Sequence, residues 1–104
     1  MTQRKRSARR AGDRAQEKLS RDLEKLAKAA PGGSPERPIV VSSPSEVEVH
    51  AAGMPCPICQ SGVRVEEHRA ETIGGIRLRV AAVACSFCRA RREVYFQLAG
   101  SVLN

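Results

Sequence analysis

Four cysteines could do chemistry in this chain, and they fall into two pairs: Cys56-Pro57-Ile58-Cys59 and Cys85-Ser86-Phe87-Cys88, separated by 25 residues. A C-x-x-C spacing lets a short turn of chain curl around one ion. Two such curls supply four thiolates, which suits a tetrahedral all-cysteine site for one structural Zn2+. Cys56, Cys59, Cys85 and Cys88 are therefore the expected ligands. Four thiolates complete a tetrahedron and leave no position for water, so catalytic zinc is not expected. Iron in a tetrathiolate site is chemically possible but is the lesser expectation. Two disulfides are the other use of four cysteines.

The remaining chemistry-bearing residues do not assemble into an active site. His50 and His68 read as surface or strand histidines, because the cysteine set is already complete; His50 would become a ligand candidate only if one cysteine failed to reach the metal. No Ser/His/Asp set, phosphate loop or pair of carboxylates sharing a pocket is visible, and we expect a protein that is not an enzyme and takes no small-molecule substrate. Glu66, Glu67 and Glu71 read as solvated charges interleaved with Arg64 and Arg69. Cys-Pro-Ile-Cys lacks the βαβ surroundings of a thioredoxin-like redox site.

The elements around the cysteines predict how they are held. Val63 to Thr72 alternates for part of its length, Gly74-Gly75 supplies a tight turn, and Ile76 to Val83 returns. Ile76, Leu78, Val80 and Ala82 share one face, and Arg77 and Arg79 the other. Glu93 to Leu98 makes a further strand, with Val94, Phe96 and Leu98 together. Two hairpin registers are open: a two-residue turn pairs Ile73 with Ile76 and sets Glu67, Arg69 and Glu71 beside Leu78 and Val80, whereas a three-residue turn aligns His68 and Ala70 with that apolar face and needs a bulge to bring Val63 and Val65 back.

This order of knuckle, hairpin, knuckle and strand resembles the zinc-ribbon group, with rubredoxin-like knuckles, over about residues 54–98. The resemblance implies a small metal-bound antiparallel β fold of three or four strands. It implies little about function, since zinc ribbons occur in transcription factors, ribosomal proteins, polymerase subunits and enzymes. Many ribbon knuckles place glycine directly after the second cysteine of a pair. Gln60 and Arg89 stand there in this sequence.

The preceding half is expected to carry a basic α-helix and a Pro/Gly linker. Residues 1–12 read as a basic disordered tail. From Asp13 to Ala30 the pattern turns helical, with Leu19, Leu23 and Leu26 at helical spacing and acid-before-base pairs at Glu17–Arg21 and Glu24–Lys28. Residues 31–45 have linker composition, with Ile39-Val40-Val41 as a candidate edge strand. Ser43-Pro44-Ser45-Glu46 has the form of a helix-capping box, but Glu46 to His50 alternates with period two, and we read a strand. The ribbon domain is assigned to residues 46–104.

Charge distinguishes the two halves. Residues 1–30 hold ten Lys/Arg against four acids, a net of +6 within a total of +7. Such an arm on a small domain is a common way to hold a polyanion, and nucleic acid or a nucleoprotein complex is the expected partner. Arg4, Lys5, Arg6, Arg9 and Arg10 on the arm, with Arg77, Arg79, Arg89, Arg91, Arg92 and Tyr95 on the ribbon, are the candidate contacts. The alternative is a protein-interaction adaptor that docks its Leu19/Leu23/Leu26 helix on a partner. With no apolar h-region after the basic amino terminus, and Val80 to Cys85 too short to span a bilayer, we expect no membrane partner and a cytoplasmic, reducing setting that favours metal over disulfides.

Overall fold

The computed structural model describes the backbone over residues 2–102 and side chains over residues 9–100. Seven elements follow in order: α1 (Thr2–Ala29), β1 (Ile39–Val41), α2 (Ser45–Gly53), β2 (Val63–Ile73), β3 (Ile76–Cys85), β4 (Arg91–Leu98) and α3 (Ala99–Val102). Helix α1 begins well before Asp13 and takes in the segment read as a disordered tail. The physical reason is composition: Arg, Lys, Ala and Gln are good helix formers, and after Thr2 only Ser7 and Gly12 interrupt them. Every residue from Arg9 to Leu19 is exposed, so α1 meets the sheet only through its last turns. The molecule is accordingly long, 67 × 24 × 16 Å with a radius of gyration of 17.4 Å, against ~13 Å for a compact chain of this length. Among the described residues no helix is long and apolar enough to cross a membrane.

The segment after α1 is pinned to the sheet, although its composition reads as linker. Gly32 donates its N–H to the Arg37 carbonyl at 2.6 Å and accepts the Tyr95 N–H at 2.8 Å, while the Arg37 guanidinium caps the helix at the Ala29 carbonyl. Gly32 has φ +82°, and a Cβ there would lie 2.6 Å from Ile39 Cδ1, so this position requires glycine. β1 then joins the sheet, as Ile39-Val40-Val41 suggests. It runs parallel to β4, with Ile39 opposite Phe96. The sheet is thus four-stranded and mixed, in the order β1-β4-β3-β2, rather than wholly antiparallel.

Residues Ser45–Gly53 form a helix and not the strand their alternation suggests. The glutamate half of the capping box favours it. Glu46 Oε2 accepts the N–H groups of Ser42 and Ser43 at 2.6 and 3.0 Å, satisfying donors that a strand would leave to its neighbours. Val47 and Ala51, four apart, are fully buried, while Val49 is 75% exposed. They pack with Val41, Ala81, Val83, Val94 and Phe96 into the core on one face of the sheet.

The hairpin takes the two-residue turn, Gly74 and Gly75 both with positive φ and Ile73 opposite Ile76. A bulge at Glu66 then shifts the register, so that Val65 and Val63 fall opposite Val83 and Cys85. Glu67, Arg69 and Glu71 therefore share the Leu78/Val80 face, and His68 lies under α2. The main core forms on the Ala81/Val83 side of β3, which continues the face of Arg77 and Arg79. On the reverse face Val80 is fully buried between Arg69 and Tyr95. The polar ends of these two meet at Glu93, 2.7 Å from Arg69 and 2.9 Å from the Tyr95 hydroxyl, and their stem and ring cover the valine.

Candidate metal centre and basic ridge

Both cysteine pairs sit at the end of the sheet where β2 starts and β3 stops. In the first knuckle the Gln60 N–H bonds the Cys56 carbonyl at 2.8 Å, and the Cys56 N–H bonds the Ser61 carbonyl at 2.9 Å. In the second, the Cys85 N–H bonds the Ala90 carbonyl at 2.9 Å, and the Ser86 N–H ties the two knuckles together at the Gly62 carbonyl, 3.3 Å away. Gln60 and Arg89 turn through the left-handed region, φ 64° and 63°. The glycine-preferring geometry is thus present without glycine.

These turns bring all four sulfurs within 4.8 Å of one another. Cys56 Sγ lies 3.6 Å from Cys88 Sγ, and Cys59 Sγ 3.3 Å from Cys85 Sγ. No disulfide joins them. An ion with thiolate bonds of ~2.3 Å in a tetrahedron sets sulfurs ~3.8 Å apart, close to this spacing.

The four sulfurs also differ in their electrostatics. Cys59 is drawn down to about 6 by the Ser61 hydroxyl and then the Ser61 main chain. Cys85 is lowered by the N–H groups of Cys88 and Phe87, 3.4 and 3.3 Å from its sulfur. Cys88 moves the other way. Its main-chain bond with Ala90 pulls it down, but burial and the Cys56, Cys85 and Cys59 sulfurs push it up to about 12. Thiols this close cannot all ionise unless positive charge sits among them. The donor set fits a divalent, thiophilic metal ion.

The arginines of the sheet and knuckles do not converge on a second site. Arg77 and Arg79 lie toward the Gly74-Gly75 turn. Arg79 is opposite Phe96 and Arg92 opposite Val83, four residues or ~13 Å along the strand. Arg91 and Arg92 point to opposite faces of β4, and Arg91 is 3.4 Å from Glu66. Arg89 is exposed beside Cys88. Tyr95 donates its hydroxyl to Glu93 within a cluster that also holds Arg69 and Glu71, so its polar end is already engaged. Phe87, 78% exposed at the tip of the second knuckle, is the freer aromatic.

A different set of cations does align. Arg10, Arg14, Lys18, Arg21, Lys25 and Lys28 recur along α1 at steps of four, four, three, four and three. All six therefore fall within an arc of ~80° over ~27 Å of helix, roughly opposite Leu19, Leu23 and Leu26. The 3.6-residue period, applied to charge rather than to leucine, is the sequence signal that finds this ridge. Among the described residues none of the six takes part in an ion pair, and the Glu17–Arg21 and Glu24–Lys28 pairs are not closed. The sheet differs: Arg64, Arg69 and Arg91 are all held by glutamates. Arg9 is exposed on α1, but it lies ~100° around the helix from Arg10, on the leucine side and off the ridge; the side chains of Arg4, Lys5 and Arg6 lie outside the described residues.

In comparisons with known proteins, no family model, curated protein or solved structure matches this chain.

Proposed function

We propose that this protein is a non-enzymatic, zinc-stabilised binding protein that holds nucleic acid, alone or within a nucleoprotein complex, along the basic ridge of α1. The single observation that carries this reading is the row of six unpaired, exposed cations on a projecting helix. Six phosphate contacts made by such a row are indifferent to base sequence. They predict a steep salt dependence, with a slope of about −5 in log K against log [salt] for duplex DNA and about −4 for a single strand. Cys56, Cys59, Cys85 and Cys88 would hold one zinc ion, completing a fold whose sheet has few large buried side chains. With four thiolates bound, zinc keeps no open position and supplies structure rather than catalysis.

Fluorescence anisotropy with a labelled RNA and a labelled DNA duplex at low salt tests this. Arg14→Glu/Lys18→Glu/Arg21→Glu is expected to abolish binding while metal content stays unchanged. Wild-type protein that binds neither nucleic acid, or binds independently of salt, would remove the reading.

Leu19 and Leu26, 59% and 67% exposed, favour a second reading in which the opposite side of α1 docks on a protein partner. In that case Leu23→Glu abolishes association and the triple charge reversal does not.

A further inference from the structure

The candidate ligand sulfurs differ in their surroundings. Cys85 Sγ accepts the main-chain N–H groups of Phe87 and Cys88 at 3.3 and 3.4 Å. Cys56 is 2% exposed, and among the described residues its sulfur has one hydrogen-bonding partner, the Cys88 thiol at 3.6 Å. The complementary defect lies on β4. Arg92 is half-buried on the face that carries Val83, and its Nε is shut off from solvent without a hydrogen-bond partner. No carboxylate pairs with it among the described residues. A donor without an acceptor and an acceptor without an N–H donor thus line the same groove between the first knuckle and β4, together with Val63 and Val83.

We propose that Arg92 is a positioning residue for the four-cysteine centre, held beside Cys56 to supply positive charge and an N–H donor to the thiolate that metal binding creates. The inference rests on the metal reading above. Four thiolates around a divalent ion carry a net charge of −2, and Cys56 has no main-chain N–H among the described residues to share that charge. A partly desolvated guanidinium is costly to bury alone and is compensated by that anion. Arg91 cannot serve, because its side chain leaves from the opposite face and pairs with Glu66.

The test uses the full-length chain loaded with zinc and titrated against a chromogenic chelator. Arg92→Met keeps the bulk and removes the charge, and is expected to weaken zinc binding about 10–100-fold, as the loss of groups supporting metal ligands does. Arg92→Lys is expected to recover most of that loss, and Arg91→Met to match wild type. With cobalt(II) in place of zinc, the thiolate-to-metal charge-transfer band of Arg92→Met should move to lower energy, which a merely structural role would not cause. Arg92→Gln replaces Arg92→Met if the latter fails to fold with metal present. Wild-type affinity in the charge-removing variant overturns the proposal, and so does equal weakening in Arg92→Met and Arg92→Lys, which would mean that shape alone matters. A wild-type chain that binds no zinc overturns the metal reading and this inference with it.

Discussion

Gln60 and Arg89 occupy left-handed backbone just after each cysteine pair, φ 64° and 63°. For a residue with a Cβ this costs about 1–2 kcal/mol, part of which glycine would give back as lost chain entropy. Gln60→Gly and Arg89→Gly are each expected to stabilise the metal-loaded protein by about 0.5–1 kcal/mol, read as a shift in the denaturation midpoint at unchanged slope. Ser61 sets a second residue-scale property. Its hydroxyl and main chain hold Cys59 at about 6 in the folded chain, far below an ordinary thiol. Because the folded value is depressed, the stabilisation is complete above the ordinary thiol range and is lost as pH falls toward 6. Metal binding follows the same direction, since protons compete for the thiolate. Ser61→Ala should therefore release metal at a higher pH than wild type, measured by titrating the loaded protein with acid beside a chelator. The clustering of the four cysteines was legible because two C-x-x-C pairs flanking a hairpin are brought together by its closure. The role of Ser61 was not, since it depends on how the knuckle closes.

At the scale of elements, the legible parts were those in which a local rule had no competitor. Gly74-Gly75 makes its turn without help, and Ile39-Val40-Val41 is β-branched enough to pair wherever an edge is open. Residues 46–50 carry two rules in conflict. Their period-two alternation indicates a strand, but Glu46 reaching back to Ser42 and Ser43 satisfies two backbone donors at once, and burial of Val47 with Ala51 does the rest. The alternating Val49 is left in solvent as the consequence. Glu46→Ala is expected to cost about 1 kcal/mol by removing that cap, with the loss visible in thermal unfolding of the loaded protein. The bulge at Glu66 was illegible for a related reason. Either register satisfies half of β2, and only the packing of Val63 and Val65 toward Cys85 and Val83 selects an extra residue.

At the scale of the molecule, the +6 balance of the first thirty residues pointed to an arm, but not to its shape. The helix legible from Asp13 onward aligns Arg14, Lys18, Arg21, Lys25 and Lys28, its extension toward Thr2 adds Arg10 to that ridge, and the fixed turn at Gly32 joins the ridge to the sheet. A bridge from Tyr95 to the Gly32 carbonyl, a second from Gly32 to Arg37, and the Arg37 cap on Ala29 all bear on one junction. The arm is therefore a lever with a set phase and not a tether. One alanine inserted after Lys28 would swing the ridge ~100° about its own axis relative to the knuckle tip at Phe87, whereas an insertion of four would return it almost to its starting azimuth. Affinity for a rigid duplex that touches both parts should consequently oscillate with insert length, falling for one or two residues and recovering near four. A smooth, monotonic decline would mean that the arm and the ribbon grip independently.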